Sequence, residues 1–129
     1  MRLVRNAIQT PDGTILESKH VHDYRTHVDA ITGEQYMVDG GLEYQRTNVN
    51  KVPAINLCVY MEDGHDMVRE VMRWGTYGKN GDEPLRFIRL MDMEDGHIQA
   101  CLDTQNLSKV YRESFENELK YRGVAYEQD

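Results

Sequence analysis

The chain lacks any apolar run approaching the ~18–20 residues that a membrane helix needs. It also lacks a basic excess, since 15 Lys+Arg stand against 22 Asp+Glu for a formal charge of −7. Proteins that coat DNA or RNA neutralise phosphates with basic surface, so a long nucleic acid is not an expected partner. Cysteine is scarce. Cys58 and Cys101 both sit in apolar settings and read as reduced core thiols of a cytoplasmic protein, with a disulfide or a catalytic thiol as the alternative. The first ten residues, MRLVRNAIQT, hold no 7–15-residue apolar stretch of the kind a secretory signal requires. Internal repeats and low-complexity stretches are absent. No serine lies in a G-x-S-x-G or S-x-x-K setting, and no nucleophile–base pair stands out. The expectation is a binding protein rather than an enzyme, with no cofactor and no metal.

What is present is a chain of 129 residues, 40% hydrophobic and 29% charged. That suffices for one compact domain with a radius of gyration of about 14 Å. It does not suffice to enclose a large active site without a partner subunit.

Two textures meet near residues 48–53. Residues 1–50 read as an antiparallel β-rich region. Thr10-Pro11-Asp12-Gly13 is a tight turn joining strands near 3–8 and 14–20. Residues 20–28 continue extended. Thr32-Gly33-Glu34 turns the chain again, and Asp39-Gly40-Gly41 separates strands near 35–39 and 42–47. Residues 54–129 read as helical, although 54–61 is equally strand or buried helix. Asp66 caps a helix carrying Met67, Val68, Val71, Met72 and Trp74 on one face, ended by Gly75. Residues 76–84 form a loop, and 85–91 are extended or irregular. Asp92 or Asp95 opens a helix with Ile98, Cys101 and Leu102 inward. Ser108 caps a last helix bearing Tyr111, Phe115 and Leu119, stopped at Gly123. The class is α+β: an N-terminal antiparallel β-sheet of four or five short strands packed on two or three C-terminal helices.

Three groups of residues bear on function. His20, His22, Asp23 and His27 are metal-ligand types, but on one extended strand only His20 and His22 share a face, too few for a structural zinc site. Gly75, Gly78 and Gly81, with Lys79 among them, suggest a phosphate cradle or a helix stop with a flexible loop. Charge is unevenly placed. Residues 69–89 carry five Lys+Arg against three Asp+Glu, whereas 90–129 carry four against nine. This locally basic stretch also holds aromatics. Arg73, Lys79, Arg86 and Arg89 for phosphates, and Phe87 or Trp74 for a base, make a nucleotide-binding set. Arg25 with Gly40 and Gly41 is a second candidate, an arginine beside unobstructed backbone N–H groups. Most of the carboxylates of 92–95 and 113–118 read as helix N-terminal and solvent-face charges.

The run Arg5-Asn6, Glu17-Ser18-Lys19-His20, His22-Asp23-Tyr24 and Asp39-Gly40-Gly41-Leu42-x-Tyr44-x-Arg46 resembles a small tailed-phage protein type. The block Trp74-Gly75-Thr76-x-Gly78-Lys79-x-Gly81, through Pro84-Leu85 to Glu118-Leu119-x-Tyr121-Arg122, is similar to the C-terminal part of its longer members. Such members carry cysteine pairs at two turns, which implies a zinc knuckle. Here the turns read Thr10-Pro11-Asp12-Gly13 and Ala30-Ile31-Thr32-Gly33-Glu34, and turn chemistry has replaced any knuckle. The layout is similar to the Thoeris anti-defence sponge proteins of phages. That likeness implies a homo-oligomer in the cytoplasm of an infected host. It would sequester a cyclic ADP-ribose-type signal, and in some members a cyclic oligonucleotide, without cleavage. The alternatives are a phage interaction module that inhibits a host protein, and a metal-dependent nucleotide hydrolase using the histidines.

Overall fold

The structure is a computed structural model and describes residues 2–78 and 80–126. Its strands and helices make it α+β. The chain divides into two compact units, Met1–Glu62 and Asp63–Asp129, a boundary later than the 50–54 expected from the change in texture. Residues 54–61 decide the difference: they hold two short strands that pair with the first strand.

In the first unit, β1 (Leu3–Gln9) is flanked by β2 (Ile15–Ser18) on one edge. Its other edge meets β6 (Ile55–Asn56) and then β7 (Val59–Tyr60). A second sheet runs β3 (Arg25–Val28), β4 (Gln35–Asp39), β5 (Arg46–Thr47). Ile8 and Leu16 of one sheet meet Tyr36 and Val38 of the other, with Ala54 against them. This unit therefore has a core of its own making.

The turn at 10–13 forms as its residues dictate. The Gly13 N–H donates to Thr10 O at 2.9 Å, and Asp12 Oδ1 accepts from Thr10 Oγ1 and the Thr14 N–H. The turn at 29–34 lies against it. The Asp12 N–H donates to Asp29 Oδ2 at 2.8 Å, while Asp12 Oδ2 takes the Ala30 N–H at 2.9 Å and meets His27 Nε2 at 2.8 Å. The two turns are thus joined by carboxylates and backbone amides. Asp12 is held well below its ordinary range, chiefly by the Ala30 N–H and then by His27.

Asn6 is fully buried in β1. Its Nδ2 donates to Asp39 O, Gly41 O and Tyr44 O at 3.1, 2.8 and 2.9 Å. The two N–H donors of one carboxamide are thus shared among three carbonyls of residues 39–44. Asn6→Ala should cost about 2 kcal/mol in urea unfolding of the whole chain, because buried carbonyls lose their donor. Asn6→Ser should recover only part of this loss.

In the second unit, α1 (His65–Val71) stops at Met72, which turns extended at φ −68°, ψ 132°. The chain then enters β8 (Arg73–Thr76), paired antiparallel with β9 (Arg86–Arg89). The expected helix through Trp74 with Gly75 as its stop is therefore corrected. Met72, Trp74 and Thr76 follow a period of two, and a partner strand is available for them. After a 3₁₀ turn at Leu90–Asp92 come α2 (Asp95–Thr104) and α3 (Lys109–Arg122). Ile98, Cys101 and Leu102 are buried on α2 as expected. Ser108 Oγ accepts the Tyr111 N–H, and Gly123 closes α3 at φ 72°. Among the described residues, no helix is long and apolar enough to cross a membrane.

Candidate functional site

The β8–β9 register sorts the predicted basic set onto two faces. Arg73 lies opposite Arg89, and Gly75 opposite Phe87. Directly opposed residues of an antiparallel pair share a face, so Arg73, Gly75, Phe87 and Arg89 form one surface. Trp74 and Ile88, with Thr76 and Arg86, form the other. Trp74 is a packing residue: its ring meets Phe115 at 5.5 Å and Tyr111 at 5.7 Å, both edge-on. It is not a base platform, which corrects one of the two aromatic assignments. Arg86 is exposed but belongs to the Trp74 side. Lys79 lies outside the described residues.

On the outer face, two arginines stand directly opposite one another. Like charges at such a pair repel, with Cβ atoms about 5 Å apart, and an anion between them relieves the repulsion. Arg89 Nε also bonds Asp92 Oδ2 at 2.9 Å. Both partners of that pair are about half exposed, so it is worth at most about 1 kcal/mol and a phosphate can displace it. Phe87 leans across Gly75, where a Cβ would come within 3.2 Å of its ring. The strand glycine thus gives the aromatic a flat seat, and the ring remains 51% exposed.

The glycine cradle does not assemble. The Gly78 N–H donates to Thr76 Oγ1, and the Gly81 N–H to Gly78 O, each at 3.2 Å. Gly75 is a strand residue. These glycines shape the hairpin connection.

The second candidate changes character likewise. Gly41 donates its N–H to Ser18 Oγ at 2.8 Å. A Cβ there would run into the His20 backbone, and one on Gly40 into Tyr44. The two glycines allow close backbone approach and leave no open anion nest. Arg25 Nε bonds Asp23 Oδ1 at 2.8 Å. The histidines are not on one strand either. His20 and His22 occupy a turn before β3, with His22 at φ 67°, and His27 faces Asp12. Among the described residues, no group of three or more His, Cys, Asp or Glu is placed to hold a metal ion. Cys58 and Cys101 are free, the first half-buried and the second buried. Burial pushes both thiols up, away from the reactive thiolate.

The sequence reading missed one cluster. Glu118, placed among solvent-face charges, is fully buried. Its Oε1 meets His65 Nε2 and Arg69 Nε, both at 2.9 Å, and its Oε2 meets Arg69 Nη2 at 2.9 Å and Arg122 Nε at 2.6 Å. Burial works against its ionisation, but hydrogen bonds from Arg69, Arg122 and His65 prevail and bring it down to about 2. The available signal was Arg122 four residues beyond Glu118, a helical ion-pair spacing. Arg69, one of the arginines that make 69–89 basic, is committed to this cluster. No family model, curated protein or solved structure matches the chain.

Proposed function

We propose that the protein binds a small phosphate-bearing cyclic nucleotide on the outer face of the β8–β9 hairpin and holds it intact. One observation carries this reading: Arg73 and Arg89 are opposed across the ladder with the exposed Phe87 ring on the same face. The arginines take a phosphate and the ring stacks a base. The phage resemblance supplies the setting, in which the ligand is an immune signal of the cyclic ADP-ribose or cyclic oligonucleotide type, sequestered in the host cytoplasm. Two copies of so small a face, brought together in a homo-oligomer, would enclose such a ligand better than one.

The test is a thermal-shift panel of cyclic nucleotides and ADP-ribose isomers. A binder present at about 100 times its Kd should stabilise the fold by about 2.7 kcal/mol. Mass spectrometry of the denatured complex should return the ligand unchanged. A flat panel, or a cleaved product, would overturn the reading. The interaction-module reading has its own support: Ile15 and Ile55, 51% and 61% exposed, flank Gln9 on one sheet face. A flat nucleotide panel with retention of a host protein would favour it.

A further inference from the structure

The first unit contains a pocket of about 270 Å³ whose lining carries no charged side chain, although 29% of the chain is charged. Its floor is the β core itself, Ile8, Tyr36 and Ala54. Its polar wall is made of carboxamides: Gln45, Asn48, Asn50 and Asn56.

These amides are positioned rather than loose. Asn48 takes the Met37 N–H at 2.9 Å and donates to Gln35 O at 2.7 Å, standing in for a strand partner of β4. Asn50 donates to the same carbonyl at 2.9 Å through Nδ2. Asn56 accepts the Cys58 N–H on Oδ1 at 3.0 Å. Those bonds use one N–H of Asn50, and Asn56 Oδ1 also takes Gln45 Nε2 at 3.5 Å. They leave the Asn50 oxygen as an acceptor and the Asn56 nitrogen as a donor. An acceptor on the half-buried Asn50 and a donor on the exposed Asn56, in one lining with the apolar Ile8, Tyr36 and Ala54, suit the edge and face of a planar ring bearing both N–H and C=O or ring nitrogen. The volume lies just under the roughly 300 Å³ at which drug-sized sites begin, so one ring system fits and a dinucleotide does not.

We propose that this pocket binds a single uncharged heterocycle of the nucleobase class, recognised by its amide-type edge. No residue of the second unit takes part, and the inference does not depend on the hairpin reading. With no charged group in the lining, a phosphate adds nothing to affinity, and binding is insensitive to salt.

The experiment is an NMR titration of the full chain with adenosine, guanosine, cytidine and uridine, following the side-chain amides. At least one nucleoside should produce saturable shifts at Gln45, Asn50 and Asn56, with Kd about 1 mM or below. That Kd should be unchanged between about 50 and 500 mM NaCl. The corresponding monophosphate should bind no tighter. Ala54→Leu, which raises the floor, should weaken binding about tenfold or more. Should that variant disturb the fold, Asn50→Ala decides, with an expected loss of about fivefold. No saturable shift with any of the four nucleosides would overturn the proposal. So would full affinity in the variants, or a tenfold gain from the phosphate.

Discussion

Glu118→Gln should destabilise the second unit by about 3 kcal/mol or more, the expected loss when one partner of a buried ion cluster is removed. The side chain keeps its shape, so packing is not the cause. Its carboxylate lies between Arg69 from α1 and Arg122 from its own helix, with His65 at the same oxygen. Arg122 continues outward, donating to Met93 O at 2.7 Å, Leu90 O at 3.1 Å and Asp95 Oδ1 at 2.7 Å. Arg69 lies 4.4 Å from the centroid of the Tyr121 ring. A neutral amide would offer N–H donors to guanidinium donors, deprive Arg69 of its carboxylate partner and leave Arg122 with Asp95 alone. The chain has one tryptophan, Trp74, and it packs on α3, so its fluorescence in a urea titration reads this unit. Glu116→Gln is the control. Glu116 is exposed and reaches Arg112 only at 4.0 Å, so its loss should cost under about 0.5 kcal/mol.

The same carboxylate sets an acid limit. Its folded pKa, about 2, lies below the ordinary value of 4.5. A depressed pKa stabilises the fold above the unfolded value, and that stabilisation is lost as pH falls through the folded one. Stability followed by Trp74 should therefore fall between about pH 4.5 and pH 2 through this group. The Glu118→Gln variant should lack that component. An unchanged acid profile in the variant would sink the assignment.

For the hairpin, the Arg73→Ala/Arg89→Ala double variant should weaken nucleotide binding by about 100-fold or more while leaving the Trp74 unfolding curve near wild type. Hydrogen bonds to charged groups are worth about 1.5–3 kcal/mol each, and two lost together exceed the roughly 2.7 kcal/mol of a 100-fold change. Neither arginine reaches the core, because both stand on the outer face of the ladder. Arg86→Ala tests the geometry rather than the charge. It removes one unit of charge from β9, as Arg89→Ala alone does, but from the Trp74 side, and should change affinity less than about threefold. Equal losses in Arg86→Ala and in Arg89→Ala alone would mean that net charge, not the outer face, attracts the ligand. Phe87→Leu should lose roughly 1–3 kcal/mol of stacking at constant charge.

Much of the local structure was legible in advance. The Thr10–Gly13 turn, the Ser108 cap, the Gly123 stop and the inward face of α2 depend on residues close in sequence. Residues 72–76 were misread for a related reason. Val68, Val71, Met72 and Trp74 fit a helical stripe, yet Met72, Trp74 and Thr76 fit a strand equally well. Only a partner at 86–90, as in the Leu90 N–H bond to Met72 O at 2.8 Å, separates the two. Glu118 was misread because an acidic residue in a charged run is usually solvated, and the His65 and Arg69 that join Arg122 at its carboxylate come from α1, which composition cannot bring to α3.

By itself the sequence determined the α+β class, the Thr10–Gly13 turn, the Ser108 cap and the Gly123 stop, and the concentration of cationic and aromatic residues between 69 and 89, since these follow from local chemistry and counting; the expected Asp66 cap was not borne out, because Asp66 lies inside α1, which Gly64 caps. The tertiary structure decided which of those residues share a surface. Strand register places Arg73, Phe87 and Arg89 together and turns Trp74 inward, and a one-residue slip would reverse that choice. Burial of Glu118, engagement of the Gly41 N–H by Ser18 and the uncharged pocket beside β5 and β6 were decided in the same way, by partners distant in the chain.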